Sequence, residues 1–156
     1  MAMKRLTHEY NQYLKEPNPY YSINIDFKNM FVWNVLLFGP TDTIYEGGIF
    51  KCKIKFSNNY PIKSPELYLL DIIHPNVFNN GKVCMSILHD GQDEYNYESI
   101  SERWNPSHSI NSILMSLLLI LTEPNLLSPA NVDALGLWKN NFDEYKKQIY
   151  EYISKN

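Results

Sequence analysis

Residues 49–56 alternate strictly. Phe50, Cys52, Ile54 and Phe56 fall on one side, and Lys51, Lys53 and Lys55 on the other. A period of two with cations along one face fits a strand that is buried on one side and wet on the other. The pattern also assigns Cys52 to the interior, where a free cysteine behaves as a small hydrophobe.

Three more segments read as strands. Residues 21–26 alternate with Ile23 and Ile25 on one side, residues 31–38 are apolar on both sides, and residues 67–70 are short. The second of these predicts a strand covered on both faces. Gly39-Pro40 and Gly47-Gly48 supply turns, and the short links favour an antiparallel meander. Helical spacing appears at both ends. Met3, Leu6, Tyr10 and Tyr13 or Leu14 form a stripe that Pro17 stops, with Lys4, Arg5, His8 and Lys15 off it. Ser107 or Ser109 can cap a helix carrying Ile110, Ile113, Leu114, Leu117, Leu118 and Leu121, ended by Pro124. That helix is apolar on most sides and is expected at the centre. Val132, Leu135 and Trp138 suggest a short helix; Phe142, Tyr145, Ile149 and Ile153 mark a last one. Between residues 73 and 105 neither period is sustained, which in a compact domain points to function. The class is α+β: an N-terminal helix, a four-stranded antiparallel meander sheet, a long active-site loop and C-terminal helices. The 156 residues suit one core, so residues 1–156 are read as a single domain.

Several function classes are disfavoured. A net charge of −3 with no basic stripe beside the twelve tyrosines argues against nucleic acid. Two cysteines make no disulfide framework and fit a reducing, cytoplasmic compartment. The first residues lack the apolar core of a signal peptide. The apolar stretch 113–121 is interrupted by Ser116 and is far short of the ~20 residues of a membrane span, so no direct membrane insertion is expected. No Cys-x-x-Cys or paired-histidine spacing suggests a metal site, and no cofactor is expected.

The irregular stretch holds the chemistry. His74-Pro75-Asn76 precedes Cys84, and Trp104-Asn105-Pro106 follows. A free thiol has a pKa of ~8.5, so an exposed cysteine carries a few per cent thiolate at neutral pH and attacks an activated ester without a general base. No local base accompanies Cys84. His74 is read as a structural imidazole, and Pro75 restricts it to extended conformations. Asn76 is then presented rigidly, either to donate to a developing oxyanion or to brace its own loop.

With these motifs in order, the chain resembles the ubiquitin-conjugating enzymes. The resemblance runs from Lys4-Arg5 through Tyr60-Pro61-Ile62-Lys63-Ser64-Pro65, His74-Pro75-Asn76, Gly81-Lys82-Val83-Cys84, Trp104-Asn105-Pro106 and Glu123-Pro124-Asn125 to the final helix. The family fold is a helix, a four-stranded antiparallel meander and C-terminal helices. The resemblance implies that Cys84 accepts ubiquitin as a glycyl thioester from the ATP-dependent activating enzyme. A RING-type ligase then assists transfer to lysines of protein substrates or of ubiquitin. It implies an oxyanion or bracing role for Asn76 and a lysine-positioning role for Ser128, where a serine lacks the carboxylate many members carry. It places Arg5, Ile62, Pro106 and Ser107 on one ligase-binding surface. Ordinary loop packing is the competing reading for Ile62.

One departure from short family members is an insertion at about 89–103. It carries Asp90, Asp93, Glu94, Glu98 and Glu102 against Arg103 alone, a local charge of −4, leaving about +1 for the remainder. It resembles the acidic-loop subgroup, with His89 at the position of a loop histidine near the cysteine. That subgroup often builds ubiquitin chains and serves degradation at the cytosolic face of the endoplasmic reticulum. A solvated surface insertion is the plain alternative. Leu126-Leu127 departs from the polar pair usual there. A non-catalytic module on the same fold would lack Cys84, and a different ubiquitin-like modifier is disfavoured only by the acidic-loop resemblance.

Overall fold

The computed structural model describes residues 1–91, 99 and 101–156. Helix α1 (Ala2–Lys15) leads into strands β1 (Tyr21–Ile25), β2 (Val32–Phe38), β3 (Ile49–Lys55) and β4 (Glu66–Leu69), which form one antiparallel sheet in sequence order. Among the described residues that follow β4, a 3-10 turn forms at Ser86–Leu88. Helices α2 (Ile110–Thr122), α3 (Val132–Asn140) and α4 (Phe142–Lys155) follow. The α+β meander expected from periodicity is the observed architecture.

Register builds the core. Ile23, Val35, Cys52 and Leu69 are consecutive partners across the sheet, as are Ile25, Trp33, Ile54 and Leu67. All eight are buried. Because side chains alternate at a period of two, this pairing turns both rows to the same face. The helices cover that face: Leu6 of α1, six apolar residues of α2 and Tyr145 and Ile149 of α4 join the same cluster. The opposite face of the sheet is open, with Asn24, Asn34, Leu36 and Lys51 exposed.

That open face corrects one expectation. Residues 32–38 are apolar on both sides, yet only Trp33, Val35 and Leu37 are buried. The expected stripe of α1 also shifts. Ala2 and Leu6 are buried and Tyr10 and Tyr13 pack on the core, while Met3 and Leu14 are exposed. The helix is rotated because Arg5 and Glu9 turn inward toward polar partners. Helix α2 buries the six residues expected of it, but Leu119 and Met115 remain exposed, so one flank is open. In α3 the buried residue is Ala134, and Val132 is exposed.

The ends of α2 follow local rules. Ser109 is its N-cap: its hydroxyl accepts from Ser112 N–H while Ser112 Oγ accepts from Ser109 N–H, a reciprocal capping box. The free N–H of Ile110 goes to Glu9 Oε1 of α1 at 2.8 Å, placing a carboxylate at the positive end of the helix dipole. Among the described residues no helix is long and apolar enough to cross a membrane.

Candidate active site

The sheet positions Cys84 through an irregular hairpin. Phe78 N–H donates to Lys82 O at 2.9 Å, Gly81 N–H to Phe78 O at 2.8 Å, and Cys84 N–H to Asn76 O at 2.8 Å. Val77 and Val83 pair across this hairpin. Its second arm lies along β4: Leu69 N–H donates to Gly81 O and Val83 N–H to Leu67 O, both at 2.8 Å. Gly81 has φ +91°, and a Cβ there would sit 3.0 Å from Leu69 O. Only glycine meets both the backbone angle and the close approach.

His74 anchors the first arm. It is 1% exposed. Its Nδ1 accepts from Asn76 N–H at 3.0 Å, and Nε2 lies 2.9 Å from Ile120 O and 3.3 Å from Leu121 O. Carbonyls accept, so Nε2 carries the hydrogen and the ring is neutral. Burial drives its pKa from the usual 6.5 down to about 4. The His74 ring thus ties the residue before Pro75 to the end of α2. The Pro75 carbonyl accepts from both Ala130 N–H (2.8 Å) and Asn131 N–H (3.0 Å).

Asn76 is 1% exposed. Nδ2 donates to Asn125 O and Oδ1 accepts from Asn125 N–H, both at 2.9 Å. Loop 125–131 is thus tied to the His74-Pro75-Asn76 turn at both ends. Ser128 lies exposed between the ties, next to Leu127 at 94% exposure. The two cysteines differ sharply. Cys52 is 3% exposed and burial pushes its thiol up to about 12, whereas Cys84 is partly exposed. His89 Nε2 is 3.7 Å from Cys84 Sγ.

The ends of the insertion are pinched together. Trp104 N–H donates to His89 O at 2.9 Å. Arg103 donates from Nη1 to Gly91 O at 2.9 Å and from Nη2 to Asp90 O at 3.1 Å. The carboxylate of Asp90 accepts from Ser64 N–H at 2.8 Å. Glu102 is exposed; Asp93, Glu94 and Glu98 lie outside the described residues.

Contacts tie Arg5 to the loop bearing Pro106 and to Tyr60, which precedes the loop residue Ile62. Arg5 Nη2 donates to Pro106 O at 2.9 Å and to His108 O at 2.7 Å, Nε pairs with Glu9 at 3.1 Å, and the guanidinium lies 5.7 Å from the Tyr60 ring centre. Tyr60 OH donates to the same Glu9 oxygen, Tyr60 packs against Trp104, and Trp104 Nε1–H donates to Pro61 O at 2.9 Å. This polar and aromatic web joins α1, the loop bearing Ile62 and the loop bearing Pro106. Ile62 is 64% exposed, and Pro106 and Ser107 are exposed too. Arg5 is not a free surface cation of the outer face of α1; it is half-buried and engaged internally.

The ubiquitin-conjugating enzyme family profile matches residues 5–153. The chain belongs to the ubiquitin-conjugating enzyme family. It is 44% identical over 133 residues to the probable ubiquitin-conjugating enzyme E2 7 of Caenorhabditis elegans, covering 84% of this chain and 81% of that protein. It is 45% identical over 133 residues to ubiquitin-conjugating enzyme E2 7 of Arabidopsis thaliana, covering 84% and 80%. Human ubiquitin-conjugating enzyme E2 G2 is 38% identical over 157 residues, covering 99% and 95%. Ubiquitin-conjugating enzymes act through a cysteine thioester, with ubiquitin, an activating enzyme and a ligase as general partners.

Several residues of this conjugating enzyme's site carry no local signal. Asn125 pairs with Asn76, Ser64 with Leu88 and Asp90, and Glu9 with Arg5, Tyr60 and Ile110. Each contact other than Arg5–Glu9 joins elements distant in the chain. Tyr60, Ser64 and Asn125 fall within the motifs that carry the family resemblance, but no spacing rule reveals their partners.

Proposed function

We propose that Cys84 is the residue that carries ubiquitin. The observation that supports this most is the contrast between the two thiols. Cys52 is sealed in the sheet core with its thiol pushed up to about 12, while Cys84 is solvent-reachable at the end of a rigid hairpin. The Cys84 thiolate attacks the glycyl carbonyl of ubiquitin held on the activating enzyme, forming a new S–C bond and expelling that enzyme's thiolate. A deprotonated lysine amine then attacks the Cys84 thioester, forming the N–C bond as the S–C bond breaks, and the proton the amine gives up passes to the departing Cys84 sulfur or to water. Each attack places negative charge on the carbonyl oxygen. Asn76 Nδ2 carries a second N–H beyond the one given to Asn125, so bracing and oxyanion donation are compatible in donor count.

Ser128, in the braced loop, is assigned to guiding the incoming lysine without a carboxylate's charge. His89, which lies beside Cys84, is assigned as a gate, and the insertion at 89–103 is assigned an acidic role on its sequence charge, carried by Asp90, Asp93, Glu94, Glu98 and Glu102. Its negative charge attracts a lysine ammonium. Ile62, Pro106 and Ser107, held in place by Arg5, form the docking surface for a RING-type ligase. Residues 1–156 act as a single catalytic core. The assigned biology is chain building for proteasomal degradation in the cytoplasm, with recruitment to the endoplasmic reticulum.

A charging assay with ubiquitin, activating enzyme and ATP tests the central assignment. Cys84→Ser abolishes the adduct that reducing agent cleaves, and Cys52→Ser retains it. Equal charging of both variants overturns the assignment.

A further inference from the structure

Ser64 belongs to the loop that carries Ile62, and it holds the segment beside Cys84 twice. Its hydroxyl donates to Leu88 O at 2.8 Å, and its backbone N–H donates to the Asp90 carboxylate at 2.8 Å. These two partners flank His89 in the chain. His89 follows the 3-10 turn in an extended conformation, φ −85° and ψ 117°, outside any strand or helix. Its own carbonyl is held by Trp104 N–H at 2.9 Å. Ser64 therefore holds the backbone carbonyl before His89 and the side-chain carboxylate of the residue after it, while the His89 imidazole stands with Nε2 3.7 Å from Cys84 Sγ.

We propose that Ser64 is a positioning residue which, with Asp90 as its second anchor, holds the His89 imidazole against the Cys84 sulfur. The inference rests on Cys84 as the reacting thiol. A sulfur–imidazole contact of this length is weak and has little power to hold a loop residue by itself. Its occupancy depends on the backbone anchors. An imidazole N–H directed at the sulfur favours the thiolate, so the anchors act on the reactivity of Cys84 through His89. Losing one hydrogen bond of ~1 kcal/mol changes the ratio of held to released His89 about five-fold.

Alkylation of Cys84 by iodoacetamide, followed by mass spectrometry from about pH 6 to 9, reads the sulfur's surroundings without ubiquitin. It can fail while thioester formation on Cys84 stands. His89→Ala slows alkylation near neutral pH. Ser64→Ala displaces the pH–rate curve in the same direction by up to about five-fold in rate, and Ser64→Thr, which keeps the hydroxyl, restores it. The double variant Ser64→Ala/His89→Ala matches His89→Ala alone. An unchanged curve in Ser64→Ala overturns the proposal, as does a Ser64→Ala effect that persists in full without His89. Asp90→Ala removes the other anchor and serves if Ser64→Ala folds poorly. Additive effects of Asp90→Ala and His89→Ala equally overturn the assignment.

Discussion

The Asn76 carboxamide and the Asn125 backbone hydrogen-bond each other in both directions, each bond 2.9 Å long, inside a turn from which Asn76 is almost entirely excluded from water. A short side chain thereby replaces a missing stretch of sheet between the Cys84 hairpin and loop 125–131. Asn76→Ala removes both hydrogen bonds to the Asn125 backbone, and because Asn125 itself is exposed to water the cost is about 1 kcal/mol. Urea unfolding should register that loss. Charging of Cys84 should persist, while single-turnover discharge to lysine falls by up to ~10²-fold. Unchanged discharge rules out the oxyanion role for Asn76.

His74 makes folding sensitive to acid. The unfolded chain takes a proton on this imidazole below its usual 6.5, but the folded chain resists until about 4. Its folded pKa is depressed, so the stabilisation is complete above pH 6.5 and disappears as pH falls toward 4. The loss reaches ~3 kcal/mol at the lower end. Urea midpoints at pH 7, 5.5 and 4.5 should fall more steeply for the native protein than for His74→Gln. Parallel slopes rule out His74 as the source.

The two thiols separate without ubiquitin. Under native conditions iodoacetamide should add one adduct, on Cys84, because Cys52 is buried with its thiol pushed up to about 12. A second adduct should appear only in denaturant. Intact mass with peptide mapping reads both outcomes, and early labelling of Cys52 contradicts its placement in the core.

Arg5 and Ile62 have opposite energetics. Arg5→Ala removes two bonds to carbonyls and the pairing with Glu9. Partial exposure screens that loss to ~1–2 kcal/mol, visible as a lower urea midpoint. Ile62 is 64% exposed, so Ile62→Ala should leave stability within about 0.5 kcal/mol yet reduce ligase-stimulated discharge. A stability loss of equal size in both variants contradicts this division.

Periodicity sufficed for the elements. The Phe50–Cys52–Ile54 alternation and the Ile110 to Leu121 stripe are local consequences of strand and helix repeats, and both appear where those repeats put them. Pro75 and Gly81 also carry a local signal, because proline and glycine constrain the backbone wherever they stand. Residues 31–38 are apolar on both sides apart from Asn34, and only the layer packed above Trp33, Val35 and Leu37 decides that a single face is covered. The inward turn of Arg5 was hidden for the same reason: a cation's partners are carbonyls and a carboxylate supplied by other elements.

Residue type and spacing along the chain were thus enough for the helices and the meander, because those follow from short-range sterics and hydrophobic repeats; the family was legible only as a resemblance carried by the ordered motifs. Folding in three dimensions settled that Asn76 meets Asn125, that Ser64 brackets His89, and that Cys52 and Cys84 live in opposite environments. Hydrogen bonds and burial depend on what arrives from distant parts of the chain. No local pattern encodes that arrival.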